Sequence, residues 1–260
     1  MRNRFYGWPM KKYLTADAVS ASDLKEFIKS PRHYQDMVKR RFAISTAALI
    51  RGTRLHSALE DWDQFIRTTV VSPKFDRRTK DGRLAAQEWE AEHSAMEIIT
   101  ADEMAEIAGM RESLFAEPKI RLYLEDFQAG REVVWRWTNP ESGLACKCRT
   151  DLEDHDGAWV LDYKTCQDAS PDGFLRTVKF WGYDLSAAHY IEGTECERYG
   201  WIAVESRPPY ACCLYWLGMS NGFRYVHERR IEKLMELAHW KGRDTEVWPS
   251  YCGGEGEIVL

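Results

Sequence analysis

The chain has 260 residues, is 44% hydrophobic and 30% charged, and carries a formal net charge of −5. This is enough apolar material for one sizeable core, and no Pro/Gly/Ser-rich linker divides it, so a single domain over residues 1–260 is expected. No apolar run approaches the roughly 20 residues of a membrane helix, and Met1 to Lys12 lacks the apolar stretch of a signal peptide; neither a membrane partner nor secretion is expected, and a cytoplasmic location is the default.

The negative total hides an uneven distribution. Residues 1–54 hold 12 Lys/Arg against 4 Asp/Glu, a surplus of +8, which leaves −13 for the other 206 residues. Lys39, Arg40, Arg41, Arg51 and Arg54 are the densest part of this basic end and could meet phosphate. The alternative is a solvated basic face. Seven cysteines, irregularly spaced and without a Cys-x-x-Cys pair, speak against a disulfide framework or a structural zinc. Cys212-Cys213 reads as part of a buried strand in a reducing compartment.

In chain order, residues 1–125 are predicted to be mainly helical: helices from about Ser20 to Lys39, through Thr46 to Trp62, and in segments from Leu84 to Leu124. Ser20 with Asp23 three residues on is a capping-box signature. Residues 126–260 open on a sheet. Val133, Val134, Trp135 and Trp137 favour a strand, Asn139-Pro140-Glu141-Ser142-Gly143 a turn, and Ala145 to Leu152 a return strand. Asp154-His155-Asp156-Gly157 turns the chain again into a third strand, Trp159 to Thr165. A helix near Phe174 to Ile191, strands at Tyr199 to Val204 and Ala211 to Leu217, and a helix from about Arg229 to Trp240 complete the chain. Strands in the middle with helices around them predict an α/β fold, a central mixed β-sheet flanked by helices.

Side chains alternate along a strand, so Asp162 and Lys164 share one face while Leu161 and Tyr163 take the other, and Asp151 on the neighbouring strand could meet them. Two carboxylates and an ammonium suit phosphodiester cleavage: hard oxygen ligands hold Mg²⁺ near the scissile phosphate and the cation stabilises developing charge. The tripeptide acid-x-Lys selects nothing alone, because Asp23-Leu24-Lys25 and Glu117-Pro118-Lys119 have it too. Only Asp162-Tyr163-Lys164 lies in an apolar strand behind a hairpin carrying another Asp. An edge-strand ion pair on a solvated face is the bland alternative.

His56 lies on a helix with Leu55 and Leu59, where it is either a packed core histidine or a metal-site residue; Glu60 follows one turn on. Glu132, at the start of the first strand, is either a further catalytic acid or a surface carboxylate.

Asp151 followed eleven residues later by Asp162-Tyr163-Lys164 resembles the PD-(D/E)xK nuclease superfamily, and its surroundings resemble the RecE-type, exonuclease VIII-like branch. Val19 to Lys25 with Ser30-Pro31 is similar to that branch's amino-terminal signature, and Gly52-Thr53-Arg54-Leu55-His56 to its Gly-x-x-x-His motif. Ala145 to Asp151, Leu161 to Thr165, and Trp248-Pro249-Ser250-Tyr251 resemble its first-Asp strand, catalytic strand and closing segment. The resemblance implies a restriction-endonuclease-like core and a Mg²⁺-dependent 5′→3′ exonuclease, with Mn²⁺ able to substitute, degrading double-stranded DNA from ends in recombination, as in phage systems. It implies Asp151, Asp162 and His56 as metal ligands, Lys164 assisting the attacking water, and a single-strand annealing protein as partner.

One position departs from the family pattern: Ser186 stands where Tyr-x-x-Gln is expected after the catalytic strand. A serine reaches less far than an amide, so its contact to DNA or water is expected to be weakened or taken over by His189. Arg149 and Ser186 join the basic cluster as DNA-contact candidates. Some superfamily relatives carry an iron–sulfur cluster with a cysteine upstream of the nuclease motifs, but none precedes Cys146 here. Eleven tryptophans leave some for subunit contacts, so the sequence allows either a homo-oligomer with Lys39 to Arg54 along the DNA path or a monomer whose tryptophans all pack internally. An endonuclease of the same superfamily and a non-catalytic DNA-end or partner-binding module are the alternatives.

Overall fold

A computed structural model describes residues 2–40, 47–243 and 246–251. Its centre is a six-stranded mixed sheet of β1 (Asn3–Phe5), β4 (Gly130–Thr138), β5 (Ala145–Glu153), β6 (Trp159–Cys166), β7 (Arg198–Glu205) and β8 (Cys212–Trp216), in that spatial order. All neighbours are antiparallel except β6 and β7. Parallel neighbours need a crossover. Here it is α9 (Pro171–Trp181) and α10 (Tyr183–Thr194), which carries the chain over one face of the sheet. A separate parallel pair joins β2 (Thr69–Val71) to β3 (Glu97–Ile99).

Both faces are covered. On one, Leu152, Leu161, Tyr163, Ile202 and Val204 pack against α4 (Ala47–Glu60), α5 (Trp62–Thr68), α7 (Ala101–Ala116) and α8 (Pro118–Leu124). On the other, Val160, Tyr199, Trp201 and Ala203 pack against α9 and α10. Cys146, Cys148 and Trp137 meet α2 (Ala21–Lys29) and α11 (Asn221–Trp240) there. Each fully buried Leu or Ile contributes about 1.5–3 kcal/mol, so these layers are what fix α4 and α10 against the strands.

The predicted helices were right in place, but three were drawn too long and the last, expected from about Arg229, starts earlier, at Asn221. Residues 20–39 divide at Ser30 into α2 and α3 (Pro31–Arg40), because Pro31 cannot donate the hydrogen bond that would continue the helix. The capping box at Ser20 and Asp23 is present. The 84–124 segment divides into α6 (Lys80–Glu92), β3, α7 and α8, with a second capping box at Thr100 and Glu103 and Pro118 opening α8. The 174–191 helix bends at Gly182, whose φ of +60° suits a residue without a side chain. β1 was not predicted: three residues with no apolar alternation carry no periodic signal. It is held by Arg4, whose guanidinium lies 2.6 Å from the buried Glu153 carboxylate.

The six described cysteines are free. Burial pushes the Cys146 thiol up to about 12 and Cys166 up to about 11, so both are inert at neutral pH. Of the eleven tryptophans, Trp137, Trp201 and Trp248 are buried, Trp181 is exposed and the other seven are half-buried.

Candidate active site

β5 and β6 pair at Glu153↔Val160 and Leu152↔Leu161, and there the ladder ends. The next residue of β5 is Asp151. Its carboxylate accepts the Tyr163 N–H at 2.7 Å, replacing the strand partner that the splaying removes. Opposite, β4 pairs with β5 at Arg131↔Leu152 and Val133↔Thr150, which sets Glu132 across from Asp151. Glu132 has φ +52°, a left-handed conformation that costs a non-glycine residue about 1–3 kcal/mol. The alternation of the sheet changes side at this point: Cys148 packs towards α10 and α11, whereas Leu152 packs towards α4 and α7. The kink therefore turns two carboxylates into the fork between β5 and β6.

α4 supplies the third group. Leu55 and Leu59 anchor it in the core, and His56 between them reaches the fork, with Nδ1 3.4 Å from Asp151 Oδ1 and 3.7 Å from Glu132 Oε1. Its ring stands edge-on to Tyr163 at 5.4 Å. On β6, Asp162 and Lys164 lie on one face as the alternation predicts. The Lys164 ammonium is 2.5 Å from Asp162 Oδ2 and 3.1 Å from the Tyr163 carbonyl oxygen, and it lies 5.1 Å from the centre of the Tyr183 ring. Tyr199 donates its hydroxyl to Asp162 at 3.2 Å. Glu132 is ion-paired to Arg149.

These groups set one another's charge. Burial, and then the neighbouring Asp162, push the Asp151 carboxyl well above the usual range, against the pull of His56. Burial also disfavours Asp162⁻, but the charge of Lys164 and hydrogen bonds from Asp151 and Lys164 outweigh it and hold Asp162 low. His56 is raised because Asp151 and Glu132 overcome its burial, and Lys164 is raised because Asp162 and Asp151 do the same. Without a cation, the proton shared by these close carboxylates is favoured on Asp151 over Asp162.

A divalent cation fits this arrangement. Ligand atoms of His56, Glu132 and Asp151 all lie within 4.8 Å of one another, and a cation there would offset the cost of charge on the buried acids. An imidazole beside oxygen ligands suits Mn²⁺ as well as Mg²⁺. Asp162, predicted as a ligand, touches Asp151 on one side and is committed to Lys164 and Tyr199 on the other. Glu60, exposed one turn beyond His56, has its carboxyl raised by partial burial and by Glu132, which places it on the rim.

The basic candidates are dispersed. Arg54 ties α4 to β3 and α7: its guanidinium lies 2.8 Å from Glu97, 2.7 Å from Glu103 and 3.1 Å from the Ile98 carbonyl oxygen. Arg51 pairs with Glu106 at 3.1 Å and the exposed Arg40 with Asp36 at 3.0 Å. Lys39 is exposed, and Arg41 lies outside the described residues. Part of the basic surplus of residues 1–54 is thus met by acids from the rest of the chain, through Arg2, Arg4, Arg51 and Arg54, which a count along the sequence cannot reveal. Arg54→Met is expected to destabilise the fold by about 2 kcal/mol, since it strands two carboxylates and a carbonyl. Denaturant unfolding checks this, and an unchanged midpoint would contradict the anchoring role.

Ser186 shares a face of α10 with Tyr183 and Tyr190 and spends its hydroxyl on the Gly182 carbonyl at 3.5 Å. His189 does not take over its expected role. It is fully buried, with Nε2 within 3.2 Å of Val19 O and 3.1 Å of Lys147 O, where it donates to backbone and pins α10 to β5. Burial, aided by Arg230, pushes His189 down to about 4. Unfolding restores a value near 6.5, so the unfolded chain binds the extra proton and stability is lost as pH falls from 6.5 towards 4, by about 3 kcal/mol. His189→Gln should lose that much less between pH 7 and pH 4 in denaturant titrations. An equal acid loss in both proteins would contradict the assignment.

Tyr199, Tyr183 and Lys25, whose ammonium lies 5.2 Å from the same Tyr183 ring, were not anticipated. They approach the fork from β7, α10 and α2; Tyr183 and Lys25 lie in segments that the family resemblance singled out, whereas nothing local signals Tyr199. The other acid-x-Lys copies resolve differently. Asp23 closes the α2 capping box, and Glu117 is the residue before α8. The closing segment folds back on α3: Trp248 stacks on Tyr34 at 5.8 Å, and Arg32 N–H donates to the Pro249 carbonyl at 3.0 Å.

Comparison with known proteins agrees with this architecture. A crystal structure described as a "putative exonuclease" from Eubacterium rectale superposes with a TM-score of 0.66 at 16% identity, over 98% of this chain and 95% of that one. At that identity the likeness is one of fold. A phage related exonuclease from Haemophilus somnus 129PT aligns over 74% of this chain and 95% of its own, at 11% identity and a TM-score of 0.37, too low to carry an argument. No curated protein matches the chain. The sequence profile of the PDDEXK-like domain of unknown function (DUF3799) matches residues 20–256. With its six-stranded mixed sheet between helical layers, the chain belongs to this PDDEXK-like family and has a PD-(D/E)xK nuclease core.

Proposed function

We propose that the protein is a Mg²⁺-dependent deoxyribonuclease that degrades double-stranded DNA from its ends. The observation that carries this reading is the convergence of His56, Glu132, Asp151, Asp162 and Lys164 on the fork between β5 and β6. His56, Glu132 and Asp151 would hold the divalent ion, with Asp162 beside them. That ion, when bound, polarises the scissile phosphate and lowers the pKa of the attacking water. Lys164, fixed by Asp162 and packed over Tyr183, presents an ammonium to the water or to a phosphate oxygen on which charge develops. Tyr199 orients Asp162 by donating to it, so that its free electron pairs face the fork. Arg149 holds Glu132 in its left-handed conformation from the other side.

The RecE-type signatures at Val19 to Lys25, Gly52 to His56 and Trp248 to Tyr251 support action from ends with 5′→3′ polarity, a recombination role and work beside a single-strand annealing protein. Linear duplex and covalently closed circular DNA of the same sequence, each with Mg²⁺, test the exonuclease reading. Nucleotides released from the linear form alone are expected. Linearisation of the circle would make the protein an endonuclease.

A further inference from the structure

Lys25 stands half-buried in the middle of α2 with its stem against the α9–α10 corner. A Cβ built on Gly182 would lie 3.6 Å from Lys25 Cε. Its ammonium faces the Tyr183 ring at 5.2 Å, and the Lys164 ammonium faces the same ring at 5.1 Å. The two acids near it are committed elsewhere: Asp162 to Lys164 at 2.5 Å and Asp184 to Lys179 at 2.8 Å. Among the described residues Lys25 has no hydrogen-bonded or ion-paired partner, and its ammonium lies against the aromatic face. A half-buried ammonium in the field of a second one is costly unless an anion comes to rest beside it. Burial, and then the Lys164 charge, lower its pKa to about 8, the direction expected of a cation site lacking its counter-ion.

We propose that Lys25 is a phosphate-binding residue of the catalytic cleft, its ammonium contacting a phosphate oxygen of the DNA strand beside the phosphate that Lys164 serves. The proposal rests on the nuclease reading for its substrate. Tyr183 is then a spacer: its ring keeps the two lysines apart and lets each carry one phosphate of the same strand. The Asp23-Leu24-Lys25 tripeptide, which looks like a stray copy of the catalytic motif, thus contributes its lysine to the same cleft, with Asp23 used for capping.

The test is binding of a fluorescent DNA duplex without divalent ions, so that no cleavage is required, to wild type, Lys25→Met and Lys25→Arg, across a salt series. Lys25→Met keeps the apolar stem and should weaken binding roughly ten- to hundredfold, the scale of one charge-assisted contact. It should also reduce the salt slope by about one, while Lys25→Arg retains the slope. Duplexes with phosphorylated and unphosphorylated ends separate the two sources of the phosphate: an equal loss on both identifies an internal diester, a loss confined to phosphorylated ends a terminal group. Wild-type affinity and slope in a folded Lys25→Met would overturn the proposal, as would an identical loss in Lys25→Arg with an unchanged melting temperature. A flattened slope in a protein whose wild type cleaves no DNA with any divalent ion would remove the hydrolytic reading and leave the phosphate contact standing.

Discussion

Asp151→Asn is expected to reduce DNA cleavage by at least about a thousandfold, the scale of several kcal/mol of charge stabilisation at a metal-assisted phosphoryl centre. The substitution is nearly isosteric, and its side-chain oxygen can still accept the Tyr163 N–H that Asp151 takes at 2.7 Å. The fold should therefore survive. Because burial and Asp162 disfavour the Asp151 charge in the ion-free site, a neutral amide is tolerated there, and ion-free stability should stay within about 1 kcal/mol of wild type or rise slightly as repulsion from Asp162 disappears. What should vanish is the upward shift in melting temperature that a divalent ion gives the wild type. Thermal melts with and without Mg²⁺ or Mn²⁺, run beside the cleavage assay, check all three. Full cleavage by the variant would remove Asp151 from the site, and a collapsed ion-free stability would show that it is a structural carboxylate.

Lys164→Met is expected to behave in the opposite way. Its cleavage rate should fall by about a hundredfold, as for other lost transition-state contacts. Asp162 would be left buried with Tyr199 and Asp151 but without its cation, so the ion-free protein should lose about 3 kcal/mol, the cost of breaking a buried pair from one side. A divalent ion bound at the fork supplies the missing positive charge, and stability should recover as it is titrated in. Single-turnover rates and melts across a Mg²⁺ series read both effects. Retained turnover, or stability that the ion does not restore, would contradict the role of Lys164. The pair of variants thus separates a ligand from a cation: one loses its response to metal, and the other depends on it.

The three central strands were legible because their signals are local. Period-two apolar runs, the turn at Asn139 to Gly143 and the Gly157 turn each occupy a few adjacent residues, so β4, β5 and β6 could be placed and Asp162 and Lys164 assigned to one face. The kink at Glu132 was not legible: no residue there advertises a positive φ, and glutamate is an unfavourable choice for one. It is nevertheless what turns Glu132 towards Asp151. His56 was found by motif, whereas its approach to Asp151 depends on how Leu55 and Leu59 seat α4 against the sheet. Charge failed for the same reason. Arg51 and Arg54 look like a phosphate-binding run along the sequence, yet they meet Glu106, Glu97 and Glu103, which lie more than forty residues away. His189, read as a substitute for the missing glutamine, points along α10 into the core because its two backbone acceptors are there.

Release of acid-soluble nucleotides from an end-labelled linear duplex is the most direct measurement of the claim that this fork is a metal-dependent nuclease site. Purified wild type and Asp151→Asn would be compared with Mg²⁺, with Mn²⁺ and with excess EDTA. Release by the wild type in either metal, abolished by EDTA and absent in the variant at equal protein stability, is the result predicted. No release by the folded wild type at any concentration of either metal, or release that persists in EDTA and in Asp151→Asn, would contradict it.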